Sequence, residues 1–241
     1  VAAGDDQVAQ AGFGRVMESS ATTNAADLVA WYDKVLASGI TDEAKAYVWP
    51  LRARAYVEGD AFDAVAFRIG EVLALQPPHL GVRALQGITS EGLRNNKYDD
   101  LNAILSAARE AAPDRGDLTP LLLGVEADVL LGKRDLPAVE ALLLKRAEAL
   151  GDAAVAGRAV SLVRMASEEN DAELAARVIE WVAASAEARP RTRDKVMTKW
   201  IDILPAGQNP GAFLDRVKQA LAAGCPAGQV LVPFRNGFYA I

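Results

Sequence analysis

The chain has 241 residues, is 51% apolar, and carries 26 basic against 32 acidic side chains for a net charge of −6. The basic residues never gather into a run, which disfavours a phosphate-tracking nucleic-acid surface. The longest apolar stretches, Leu121 to Val125 and Val139 to Leu144, stop far short of the roughly 18 residues a bilayer-spanning helix needs, so no membrane span is expected.

The first residues, Val1-Ala2-Ala3-Gly4, look like the small side chains that flank a signal-peptidase site. They fit a trimmed chain equally well; export to a bacterial periplasm is the preferred expectation. Gly12 and Gly14 around Phe13 weaken the first helix, each costing about 1 kcal/mol relative to Ala.

From there two series of helix-stop residues run through the chain. Asn24, Gly59, Asn96, Gly132, Asn170 and Asn209 form one, at a nearly even interval. Gly39, Pro77, Pro113, Gly151, Pro190 and Gly224 form the other, interleaved with it. Gly and Asn tolerate the left-handed conformation that closes a helix, and Pro cannot continue one. Between the marks the apolar residues follow a helical period. Phe62, Val65, Ala66, Ile69, Val72 and Leu73 form one such face. It recurs as Leu101, Ile104, Leu105, Ala108, Ala111 and Ala112, and as Val139, Leu142, Leu143, Ala149 and Leu150, with Arg146 standing where an apolar residue is due. The alternate helices carry Ala44, Tyr47, Val48, Leu51 and Ala55, then Leu118, Leu121, Leu122, Val125 and Val129, with Val196, Trp200 and Ile203 opening the last. Thr41, Thr119 before Pro120, Asp135 before Pro137 and Asn209 before Pro210 mark helix starts.

These signals predict an all-α chain, an α-solenoid of about six antiparallel hairpins at residues 5–37, 41–75, 79–112, 118–149, 152–188 and 191–223. A single repeat domain covers 1–224, and an extended apolar tail covers 225–241. In the tail Val230, Leu231, Val232, Phe234, Phe238 and Tyr239 crowd a Pro-punctuated stretch. It either caps the last hairpin or docks on a partner or a second copy.

Catalytic chemistry is not expected. His79 is the only histidine and Cys225 the only cysteine, so no metal site of the His or Cys kind and no intrachain disulfide can form within one chain. Nothing reads as a phosphate-cradling loop, since Gly12-Phe13-Gly14 lacks a third glycine and a preceding strand. No cofactor is implied. The aromatic residues Trp31, Tyr32, Tyr47 and Trp49 lie on successive helices, where four rings could cluster in the core or form an exposed binding patch.

The segment Val82 to Arg115 resembles a tetratricopeptide repeat: Asn96-Lys97-Tyr98-Asp99 stands at the family's turn, Leu101 and Leu105 at its A-x-x-x-F positions, and Ala108 and Pro113 at its later Ala and Pro. Tyr56 to Phe62 gives the turn again, slightly lengthened. Thr89 and Gly92 depart from the family pattern, and the periods run longer than the family's. The resemblance implies a right-handed superhelix whose concave groove binds a protein or peptide. On that basis the groove positions are Trp49, Ala53, Tyr56, Arg83, Gln86, Ser90, Glu126 and Arg164. The Lys and Asn with which some members clamp a terminal carboxylate are absent there. The expected function is a non-catalytic interaction scaffold, a subunit or assembly factor of a larger bacterial complex; the alternatives are an accessory portion of an enzyme or a ligand-sensing regulatory domain.

Overall fold

The computed structural model describes residues 24–203 and 210–230. The expectations resting on Gly12, Gly14, Asn209, Leu231, Val232, Phe234, Phe238 and Tyr239 lie outside them. All regular structure among the described residues is helical, as the all-α class requires, and no strand occurs among them. The α-helices are α1 (Ala25–Ala37), α2 (Asp42–Glu58), α3 (Ile69–Leu73), α4 (His79–Arg94), α5 (Tyr98–Ala111), α6 (Thr119–Gly132), α7 (Leu136–Leu150), α8 (Asp152–Glu168), α9 (Ala172–Ala184), α10 (Pro190–Ile203) and α11 (Pro210–Ala222). Short 3-10 segments occupy Phe62–Arg68 before α3 and Gly116–Leu118 before α6.

Helix starts follow side-chain chemistry. The amide of Ala26 donates to Asn24 Oδ1 at 3.0 Å, that of Ala44 to Thr41 Oγ1 at 3.2 Å, that of Ala138 to Asp135 Oδ1 at 3.3 Å and that of Leu174 to Asp171 Oδ1 at 2.9 Å. Each satisfies an amide that has no partner inside its own helix. Thr119 is instead the first residue of α6, because the 3-10 turn already leads the chain into the helix.

Helix ends repeat one geometry. Asp60, Asn96, Arg134 and Asn170 all have positive φ, between 53° and 59°. In every case that residue's amide bonds to the carbonyl three back, and the next amide to the carbonyl five behind it, as in Asn96 N to Leu93 O at 3.2 Å and Lys97 N to Gly92 O at 2.9 Å. This is the Schellman closure, and it recurs once per helical pair. Gly59 has φ −90°, and Gly132 is still helical. At these two turns the left-handed residue is therefore Asp60 or Arg134 and not the glycine read from the sequence. A carboxylate side chain tolerates the conformation locally, and Arg134 is tied down by ion pairs to Glu168 and Glu169 at 3.0 and 3.3 Å.

The chain divides into two compact units, Val1–Val129 and Leu130–Ile241. In the first, α2 packs on α1 and α4, and α5 covers the 3-10 segment and α3. The second helix of this hairpin is expected to be continuous from Phe62, yet its first half is 3-10. Its buried residues are Phe62, Val65, Ile69, Val72 and Leu73, with Ala66 only half-buried. Gly87 lets α2 and α4 approach: a Cβ there would lie 2.4 Å from Pro50 Cγ. At Gly92 an added Cβ would lie 2.7 Å from both Leu101 Cδ2 and Phe62 Cε1, which explains the absence of the larger residue that a tetratricopeptide pattern leads one to expect.

In the second unit α8 packs against α7, α9 and α10, and α11 lies on α10. The buried stripe of α7 is Leu136, Val139, Leu143, Ala147 and Leu150. Arg146 and Ala149 face solvent, so Arg146 does not interrupt the core; the stripe runs through Ala147. Asp152 opens α8 and holds the start of α10. Its Oδ2 accepts the Arg191 amide at 2.9 Å, and its Oδ1 accepts the Thr192 amide at 2.9 Å and the Thr192 hydroxyl at 2.6 Å. The tail does not begin extended: residues 227–230 form a helical turn, and Cys225 and Val230 are buried.

Candidate functional site

Three residues of α2, Trp49, Arg52 and Tyr56, are spaced i, i+3, i+7 and share a face. Arg52 is only 2% exposed, a full charge within the first unit's core. Its guanidinium lies 5.2 Å from the Trp49 ring centroid and 4.5 Å from that of Tyr56. Its Nε–H donates to Asp33 Oδ1 of α1 at 2.8 Å, and its Nη2 donates to the Tyr56 hydroxyl at 2.7 Å. Nη1 is buried and has no hydrogen-bond partner among the described residues.

Arg68, the last residue of the 3-10 segment, approaches the same carboxylate from the other side. Its Nη1 donates to Asp33 Oδ1 at 2.8 Å, and its Nε and Nη2 grip Glu71 at 2.5 Å each. The bonds from Glu71 outweigh burial and raise Arg68 above its ordinary value, so it stays charged. Arg68 also lies 5.2 Å from the Trp49 centroid. One carboxylate oxygen thus holds two guanidinium groups that both approach a single indole.

Above this cluster opens a cleft of about 470 Å³, walled by Asp33 and Leu36 of α1, Asp42 and Lys45 of α2, and Arg68 and Glu71. Its charges are already used: Lys45 pairs with Asp42 at 2.9 Å, and the Gln76 amide donates to Asp42 Oδ2 at 2.9 Å. That backbone bond and the Lys45 contact hold the Asp42 carboxyl below the usual range.

The residues expected in a groove are dispersed. Trp49 and Ala53 are 2% and 1% exposed and offer a partner no surface, and Tyr56 is half-buried against Arg52. Arg83, Gln86 and Ser90 do lie together on the exposed side of α4, spaced for one face. Arg83 lies 4.3 Å from the ring centroid of Tyr47 of α2 and donates to its hydroxyl at 3.3 Å, while Ser90 Oγ donates to the Gln86 carbonyl at 2.7 Å. Glu126 is half-buried and accepts from Arg109 at 2.5 Å. Arg164, in the second unit, is exposed and pairs with Glu168. Trp31 and Tyr32 pack edge to face at 5.0 Å, whereas Tyr47 and Trp49 stack with guanidinium groups.

Arg52, Asp33 and Arg68 are not legible as a site in the sequence, where each reads as an ordinary solvated charge. The available signal is the shared face of Trp49, Arg52 and Tyr56. His79 is exposed as the first residue of α4. Among the described residues no group of three or more His, Cys, Asp or Glu side chains could hold a metal ion, and no helix is long and apolar enough to cross a membrane. No family model matches the chain, and neither a curated protein nor a solved structure does.

Proposed function

We propose that this chain is a tetratricopeptide-like α-solenoid that serves as a non-catalytic scaffold for another protein or peptide, within a larger bacterial complex. The observation that carries the reading is the Schellman closure repeated at Asp60, Asn96, Arg134 and Asn170, one helical pair apart each time. Contacts across one period support it, among them Lys97 with Asp60, Arg177 with Glu140, and Arg83 with Tyr47. Stacked helical pairs that each bury one face against the next are the architecture in which such contacts recur. The partner surface within the first unit is the exposed side of α4 with Tyr47, carried by Arg83, Gln86 and Ser90. Arg83 suits this role because Tyr47 braces its guanidinium while donors remain for a partner's acceptors.

The test is to recover partners with the tagged chain from its source organism, then measure the affinity of each purified partner for wild type and for the Arg83→Ala, Gln86→Ala, Ser90→Ala triple variant. A loss of about tenfold or more is expected. Unchanged affinity for every partner would remove this surface from the reading.

The second reading, a ligand-sensing domain, draws on the 470 Å³ cleft. A ligand entering it would have to displace pairs such as Arg68 with Asp33.

A further inference from the structure

Phe67 is 88% exposed, nearly twice as much as any other large apolar side chain that stands out from the surface among the described residues. It lies on the 3-10 segment, an element separate from the α4 surface proposed above, and its surroundings are open. Asp63 and Ala74 are exposed, and nothing lies within 4 Å of where a Gly70 Cβ would stand.

Among the described residues, five aromatic rings of this chain are approached by its own arginines. Arg83 covers Tyr47, Arg52 covers Tyr56, Arg52 and Arg68 flank Trp49, Arg189 lies over Trp181 and Arg216 over Trp200, at 4.3 to 5.7 Å from the ring centroids. Phe67 has no such cation among the described residues, and Asp63, four residues before it on the same 3-10 segment, has no ion pair among them. The charge balance is equally uneven. Val1–Val129 holds 19 acidic and 11 basic residues, a net −8, whereas Leu130–Ile241 holds 13 and 15, a net +2. The whole acidic excess lies in the unit that carries Phe67.

We propose that Phe67 and Asp63 form a docking point for a basic segment of a partner protein, an arginine stacking on the ring while Asp63 and the acidic unit attract its charge. A ring face attracts a guanidinium through its quadrupole, and a carboxylate on the same segment adds a longer-range attraction for the same charge. The acidic field of the unit raises the encounter rate for a basic chain and disfavours an acidic one.

The experiment titrates the full chain, labelled for NMR, with a peptide of alternating arginine and glycine, and with the same peptide carrying neutral citrulline for arginine. The arginine peptide should shift the amides of 63–71, and the citrulline peptide should leave them in place. Phe67→Leu keeps an apolar side chain but no ring and should weaken binding about two- to fivefold. Asp63→Asn should weaken it too, and Arg83→Ala should leave it unchanged, which separates this surface from the one on α4. Equal binding of the citrulline peptide, shifts scattered over the acidic surface, or an unchanged affinity in Phe67→Leu would each overturn the proposal. So would a concentration-dependent shift of Phe67 without peptide, which would assign the ring to a second copy.

Discussion

Asp33 Oδ1 accepts the Nε–H of the buried Arg52 at 2.8 Å, joining α1 to α2, and the same oxygen accepts from Arg68. The two arginines therefore depend on Asp33 unequally. Arg68 has Glu71 as a second counter-ion, but Arg52 has no other carboxylate among the described residues. Asp33→Ala should cost about 3 kcal/mol, because it leaves a buried charge uncompensated. Arg52→Met should cost clearly less, since Asp33 keeps Arg68 and the methionine fills similar space between Trp49 and Tyr56. Urea denaturation of the two variants gives the comparison, and an equal cost would mean that the charge pair is not what holds α1 on α2.

Helix approach in the first unit rests on glycine. Gly87→Ala places a methyl group against Pro50, and Gly92→Ala places one between Leu101 and Phe62. Each should destabilise by about 1–3 kcal/mol through overpacking. Gly157→Ala on α8 meets nothing within 4 Å, so there the same change should stabilise by about 0.5–1 kcal/mol through helix propensity. Thermal unfolding of the three variants reads both signs.

Arg134 holds φ 59°, a conformation that costs a side chain about 1 kcal/mol or more. Arg134→Gly removes that strain and also the exposed ion pairs to Glu168 and Glu169, each worth no more than about 1 kcal/mol. Arg134→Ala keeps the strain and loses the same pairs. Arg134→Gly should thus be the more stable of the two by about 1 kcal/mol, measured by urea midpoints at constant slope.

Acid should loosen the second unit at the start of α10. Burial works to raise the Asp152 carboxyl, but the Thr192 hydroxyl and the amides of Arg191 and Thr192 outweigh it and hold the group below the usual carboxylate range. A carboxyl depressed in the folded state binds fewer protons there than in the unfolded chain. Its stabilising contribution is therefore complete above pH of about 4 and is lost as pH falls through the depressed value. Asp152→Asn should flatten the acid limb of the stability profile relative to wild type. An unchanged limb would assign acid sensitivity to other carboxylates, such as Asp42 and Asp60, whose values are also lowered.

Cys225 is 5% exposed, and burial pushes its thiol up to about 11. At pH 8 a thiol-specific reagent should label the folded protein slowly and the unfolded chain at once. Fast labelling of the folded form would show that the residues after α11 open readily.

Local chemistry makes a large part of this fold legible in the order of its residues. The helical class, the recurring interval of one helical pair, the caps at Thr41 and Asp135 and most buried faces follow from side-chain periodicity and from residues that start or stop a helix within a few positions of themselves. Whatever depends on a partner far along the chain emerges only when the helices pack. Asp60 and Arg134 take the left-handed position in place of the neighbouring glycines, and Arg134 is held there by two carboxylates at the end of α8. Trp49 reads as a groove residue in the sequence yet is buried beside two guanidinium groups, because α1 and the 3-10 segment bring Asp33 and Arg68 over it. Range separates the two sets: helix propensity and capping act over one or two turns, whereas charge burial and ring exposure are fixed only when distant helices meet.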